Sequence, residues 1–338
     1  MGLGAVLVAT ALITAACSGK ADNQVGATTT APASPTSTTG HQSASTTPTT
    51  VKPRAWSAPT NVGHGVALGA LSCPATTSCI ALGDQGQAYH YAAGAWSGPV
   101  ATGAASGATG SPSLSCSGTS FCMAVWRGGA DAVVWNGRSW STPMTISGSQ
   151  AIQAVGCASS TFCVVIDGVG DAFYYNGSGW SSTPNDWGSV QSISCPIASF
   201  CVSVAGGVSI WNGSSWTEPQ VYGTTSVLTG VSCPIPSFCM AVDSTGESLR
   251  WDGRTWSGPL PVETSSSTFG GPAMAGVSCP SASFCIAVDS AGMAFRWNGR
   301  RWSAPESVDP GQALTAVSCT NPAFCVSTDK QGFVLVRR

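Results

Sequence analysis

"SFCMAVDSTGESLRWDGRTWSGP", Ser237 to Pro259, returns almost letter for letter as "SFCIAVDSAGMAFRWNGRRWSAP" at Ser283 to Pro305. Worn copies stand at five other places. Each copy holds a cysteine pair with the same C-x5-C spacing: 73/79, 116/122, 157/163, 195/201, 233/239, 279/285 and 319/325. The first cysteines are 43, 41, 38, 38, 46 and 40 residues apart, the period of a four-stranded propeller blade.

Each unit divides into four short strands. Strand a is "LTGVSC" (Leu228 to Cys233) or "LTAVSC" (Leu314 to Cys319). Strand b, "FCIAV" (Phe284 to Val288), is apolar on both faces and so is expected between two layers. Strand c alternates, with Met293, Phe295 and Trp297 on one side, and strand d begins at the next tryptophan. Asn298-Gly299, repeated as Asn136-Gly137, Asn176-Gly177, Asn212-Gly213 and Asp252-Gly253, predicts a two-residue type I′ hairpin between c and d. That turn would set Trp135 opposite Arg138 and Val133 opposite Trp140, with the arginine stacked on a ring. The first unit departs, with Ala92-Ala93.

The last unit stops at "GFVLVRR" (Gly332 to Arg338), after strand c, while "RAWSAP" (Arg54 to Pro59) matches the start of strand d. The expected fold is therefore an all-β, seven-bladed propeller over residues 53–338, closed when the N-terminal strand completes the last blade. Only 8% of the 338 residues are charged and 41 are glycine, in keeping with many strands and turns. A net charge of -2 lacks the basic excess of a nucleic-acid binder.

Residues 2–16, "GLGAVLVATALITAA", are apolar but too short to span a bilayer. They end in small residues before Cys17, as an export signal does. "ITAAC" resembles a bacterial lipobox, which implies a signal peptide over 1–16 and a lipidated Cys17. Residues 18–52, rich in Ser, Thr, Ala and Pro, then read as a tether from that lipid. In an exported chain the paired cysteines are expected as seven disulfides: Cys73–Cys79, Cys116–Cys122, Cys157–Cys163, Cys195–Cys201, Cys233–Cys239, Cys279–Cys285 and Cys319–Cys325. Zinc wants tighter spacings and four converging ligands.

The repeat, "SCPSxSFCxAVD" followed by "WNGxxWSxP", resembles that of exported propeller proteins of actinobacteria, which implies fold and export but no activity. "RWDGRTW" (Arg250 to Trp256) is more loosely similar to the Asp-box of sialidase-like propellers, one residue short between Asp and Gly.

The b–c turns and d–a connections share one face, where propeller ligands are expected. Four units carry an aspartate at the b–c turn: Asp167, Asp243, Asp289 and Asp329. Either each caps its own turn, or together they form an acidic rim for a cation or sugar hydroxyls. Trp126 and Trp187 are out of register; beside Asn185 and Asp186 they would stack on a sugar or anchor a partner, or fold back on the rim. The three histidines sit in no nucleophile or metal signature, so no enzyme is expected, and neither cofactor nor metal. The expected function is non-catalytic recognition of an envelope glycan or exported protein by a membrane-anchored monomer. A carbohydrate-active hydrolase or lyase, or a plain scaffold, are the alternatives.

Overall fold

The computed structural model describes residues 55–104, 110–185, 188–223, 226–262 and 272–338. Cys17, its signal and its tether therefore lie outside the described residues. The repeats fold as seven antiparallel sheets, strand order a-b-c-d. Blade 6 is representative: Met274–Ser281, Phe284–Asp289, Met293–Trp297 and Glu306–Ser307. In blade 4 the fourth strand is reduced to bridges at Trp216 and Gln220. Blade 7 takes its strand d from the other end of the chain: Trp56 bridges Arg337, and Thr60 and Asn61 pair with Val334 and Phe333. The ring closes as the matching half-repeats imply.

Apolar side chains collect between blades rather than in one centre. Seven buried clusters fill the seven wedges, one for each pair of neighbouring blades. Strand b explains its own apolar run. Phe284, Ile286 and Val288 face blade 7, while Cys285 and Ala287 face blade 5. A blade alone would leave both faces wet, which is why the sequence repeats.

All seven expected disulfides form, each across its own a–b hairpin. Cys73 joins Cys79, Cys116 joins Cys122, Cys157 joins Cys163 and Cys195 joins Cys201. Cys233 joins Cys239, Cys279 joins Cys285 and Cys319 joins Cys325. The Cα–Cα distances are 3.9–4.1 Å throughout, so one hairpin geometry serves every blade. The second cysteine of each pair lies on strand b and is at most 1% exposed, which keeps the bridge inside the wedge.

The serine before the first cysteine does a second job. It accepts the N–H of the corresponding cysteine in the next blade: Cys319 on Ser278, Cys73 on Ser318, Cys279 on Ser232, Cys233 on Ser194 and Cys157 on Ser115, at 2.9–3.0 Å. These bonds stitch the innermost strands, whose outward N–H groups have no ladder partner. Two junctions lack the bond: blade 3 has Gly156 at that position, leaving Cys195 without it, and Ser72 of blade 1 does not take up the N–H of Cys116.

The c–d turn differs from the expected hairpin. Trp135 pairs with Trp140, Trp211 with Trp216, Trp251 with Trp256 and Trp297 with Trp302, so four residues intervene instead of two. The Asn136 carboxamide oxygen accepts the N–H groups of Arg138 and Ser139, both at 2.9 Å, and Asn136 keeps a negative φ while Gly137 sits at +92°. The side chain thus supplies an acceptor that a type I′ turn would take from the backbone. The paired rings lie 5.7–5.8 Å apart. Arginine does not stack on them; the one cation–π contact in the described residues is Arg337 over Phe284. The two-residue turn with both φ positive occurs instead in blade 1, at Ala93 (+51°) and Gly94 (+89°).

Candidate functional site

The four b–c aspartates cap their own turns and form no rim. Asp167, Asp243, Asp289 and Asp329 are all at most 1% exposed. In each, Oδ1 accepts N–H groups two and four residues on, such as Ala291 and Met293 for Asp289, both at 2.9 Å. Asp167 also receives Gly170 on Oδ1 and, at 2.8 Å on Oδ2, Gln150 of the preceding connection. Buried and with Oδ1 held by backbone N–H groups, they are out of reach of a sugar or cation at the surface.

Trp126 is corrected too. It is 2% exposed, packed between blades 1 and 2, with Nε1 donating to Gly83 O at 3.2 Å. It stands at the b–c position that an aspartate occupies in blades 3, 5, 6 and 7. Asn185 is half-buried, its N–H on Asp171 Oδ1 at 2.8 Å and its Nδ2 without a partner. Asp186 and Trp187 lie outside the described residues.

What the b–c/d–a mouth does carry is Arg127, the arginine outside the repeat pattern. From the b–c turn of blade 2 its guanidinium crosses blade 3 to reach blade 4, donating to Gln153 Oε1 (3.3 Å), Gln191 Oε1 (3.1 Å) and Gln191 O (2.8 Å). Burial lowers its pKa without discharging it. It is a latch across three blades, spent on protein acceptors.

Two wide clefts lie elsewhere, on either side of blade 1. A cleft of about 570 Å³ separates blades 7 and 1, walled by Trp56, Val336 and Arg338 on one side and Tyr89, Tyr91 and Trp96 on the other. A second, about 910 Å³, separates blades 1 and 2 between His90, Val100 and Thr102 and Trp135, Arg138 and Trp140. Among the described residues no Asp or Glu side chain lines either one. Among the described residues there is also no group of three or more metal-ligating side chains.

Blade 1 opens these clefts because its sequence departs from the repeat. Where blades 5 and 6 have Arg-Trp before the c–d turn, it has His90-Tyr91, then Ala92-Ala93-Gly94. Its strand d, Ala95–Ala101, runs seven residues instead of two and is exposed almost throughout. In blades 4 and 6 the outer tryptophan finds an acceptor on the preceding blade: Trp216 donates to Tyr174 Oη (2.8 Å) and Trp302 to Ser248 Oγ (3.0 Å). Around blade 1 the equivalent donors, Nε1 of Trp56, Trp96 and Trp140, have no partner, nor has His90 Nε2; the same holds for Nε1 of Trp180 in blade 3 and Trp256 in blade 5. The His90 ring packs on Trp135 at 4.3 Å, and burial lowers its pKa, which favours the uncharged imidazole. Aromatic walls with Arg138 at the rim suit a ligand that offers apolar surface and carbonyl or hydroxyl acceptors. The sequence does not single these residues out, although the broken Trp and Asn-Gly pattern of the first unit is the signal for them.

No protein-family model matches the sequence, and no curated protein matches it. Among solved structures the fold is similar to one described as YCF48 bound to D1 peptide, with TM-score 0.67 and 13% identity over 85% of this chain and 98% of that one. YCF48 from Cyanidioschyzon merolae superimposes with TM-score 0.61 at 14% identity, covering 84% and 99%. A structure titled U3-55K gives TM-score 0.70 at 10% identity, covering 82% and 98%. At such identities the likeness establishes the architecture: this chain is a seven-bladed β-propeller.

Proposed function

We propose that the chain is an exported, lipid-tethered, non-catalytic recognition module that takes an extended segment of an exported protein in the clefts flanking blade 1. The observation that carries this reading is that the two wide, carboxylate-free aromatic clefts adjoin the blade that breaks the repeat. In a ring of near-copies, regular positions are explained by packing, and a departure that opens space needs another reason. A long exposed outer strand beside the clefts gives an extended segment free backbone groups to pair with. That one similar propeller holds a peptide lends support. Seven disulfides fit an oxidising compartment, in line with the lipobox-like "ITAAC". The turn-capping role of the buried aspartates leaves little for general acid–base work and supports a non-enzymatic role.

The test uses exposed rim positions so that the fold is spared. Val100→Glu and Arg138→Glu are expected to abolish retention of an exported protein on immobilised chain, while Val221→Glu on blade 4 leaves it unchanged. If all three variants retain it equally, the clefts are not the site. Loss of glycan-array signal in the same two variants, with no protein retained, would assign the clefts to a sugar.

A further inference from the structure

The charged side chains sort by face. Of the ten described basic residues, eight lie in or beside the c–d turns; only Arg127 and Lys330 lie on the b–c side. Of the twelve described acidic residues, Asp252 alone shares the c–d end. The cations are also uneven around the ring. Blades 3 and 4 carry serine in that turn (Ser178, Ser214), whereas the consecutive blades 5, 6 and 7 expose Arg254, Arg296, Arg300, Arg301 and Arg338.

Three features make this arc a surface built for anions. Among the described residues, the guanidiniums of Arg254, Arg300 and Arg301 have no hydrogen-bond or ion-pair partner; only their main-chain N–H groups are used, on the turn Asp or Asn. Unpaired like charges held side by side repel one another, and a counter-anion removes that repulsion. Arg300 and Arg301 also border a cleft of about 430 Å³ with Leu260 and Pro261, so apolar surface lies beside the cations. Finally, the chain enters the propeller within this arc. Ala55 precedes Trp56, which bridges Arg337 at the c–d end of blade 7.

We infer that the arginine arc of blades 5 to 7 docks on the anionic phospholipid surface of the bilayer, turning the a–b/c–d face toward the membrane. The acidic face then points outward, and the blade 1 clefts open sideways, parallel to the bilayer. A planar guanidinium presents paired N–H donors that fit a phosphodiester. This inference rests on the tethered reading above, because a chain anchored ahead of Ala55 brings this face to the lipid first.

Flotation with vesicles tests it. The chain from residue 17 on, with Cys17→Ser to remove any lipid, is expected to float with equimolar phosphatidylglycerol–phosphatidylcholine vesicles and not with pure phosphatidylcholine. Binding should vanish at about 1 M salt. At roughly a fivefold effect per arginine near the surface, Arg254→Gln/Arg300→Gln/Arg301→Gln is expected to cut partitioning by more than about tenfold. Lys330→Gln on the opposite face should leave it unchanged. Equal flotation with neutral vesicles, no flotation with anionic ones, or a triple variant that partitions like wild type would each overturn the inference. Val100→Glu is expected to float normally, so a failure of the cleft reading and a failure of this one are read from different variants. Absence of a lipid on Cys17 in cells would remove the tether while leaving the vesicle result to stand or fall by itself.

Discussion

Blade 6 and blade 1 share a topology and a disulfide, yet blade 1 stands between clefts of about 570 and 910 Å³ while blade 6 borders a smaller one of about 430 Å³. Blade 6 seats Trp297, 1% exposed, with Nε1 on Ala282 O at 3.3 Å, and pairs it with Trp302. The same bond recurs in blade 4 (Trp211 to Ala198 O), in blade 5 (Trp251 to Pro236 O) and in blade 7, where Arg337 donates to Pro322 O instead. Blade 1 has Tyr91 there, and clefts lie on both its sides. The difference teaches that the ring tolerates one loosely filled sector because the disulfides and most of the inner-strand serines hold the hub independently of the rim. Stability is built into the inner strands, and variation is left to the outer ones.

The sharpest way to break that comparison is to truncate the ring that differs. Trp297→Ala should cost about 3–5 kcal/mol, since the ring is 1% exposed and packs with Phe238 and Met240 of blade 5. Tyr91→Ala should cost less than half as much, because its void merges with open clefts. Urea unfolding of the two variants checks this. Equal losses would mean that the rim of blade 1 is as firmly packed as that of blade 6.

Next in size is the b–c aspartate. Asp289→Ala removes a buried carboxylate holding two N–H groups, and about 2–3 kcal/mol is expected, at the upper end for bonds to a charged group. Restoring the repeat in blade 1 should not help. A Cβ on Gly83 would stand 2.8 Å from both Gln87 Oε1 and Val66 Cγ1, so Gly83→Asp is expected to destabilise. A stabilised variant would show that blade 1 lost its aspartate by drift and not to fit its neighbours.

Removing one disulfide comes third and is expected to erase the contrast. On the loop-entropy account, Cys279→Ala/Cys285→Ala and Cys73→Ala/Cys79→Ala each cost roughly 2 kcal/mol, because both close the same seven-residue loop. A clearly larger loss in blade 1 would mean that its open wedge leans on the hub.

These comparisons mark what can be read from letters alone. The blade count, the split last blade and the cysteine pairing follow from period and spacing, because a repeat leaves few ways to bury its faces. The role of Asp289 is within reach, since an aspartate just ahead of a turn glycine caps the turn for local reasons. The c–d register is not, because Asn-Gly fits two turns and only the carboxamide's choice of N–H partners separates them. Nor is the burial of Trp126, whose indole N–H is taken up by a carbonyl 43 residues away, at Gly83. The charge sorting is present in the sequence once strands are assigned, but the clefts are not, because an empty space has no letter.

The smallest effect concerns the connection leaving each blade. In blade 1, Thr102 donates its N–H to Gly86 O and Gly103 follows; in blade 6, Val308 and Asp309 both donate to Gly292 O, at 2.9 and 3.0 Å. Blade 6 thus places a second buried carboxyl beside Asp329, whose Oδ2 receives no hydrogen bond. Burial first, and then the neighbouring Asp329, raises the Asp309 pKa above its ordinary 3.8. A raised carboxyl pKa means that the folded state holds its proton more tightly than the unfolded chain. This contribution is therefore complete below the ordinary carboxylate range and is lost as pH climbs through the raised value. Asp309→Asn keeps the shape, offers an N–H to Asp329, and removes the titration. The variant is expected to match wild type at low pH and to melt at a higher temperature near neutrality, with the gap opening across the mildly acidic range. Gly103→Asn in blade 1, with no carboxylate facing it, should show no such divergence. Parallel melting curves for Asp309→Asn and wild type across that range would mean that the two carboxyls do not sense each other, and that this connection carries no strain that blade 1 lacks.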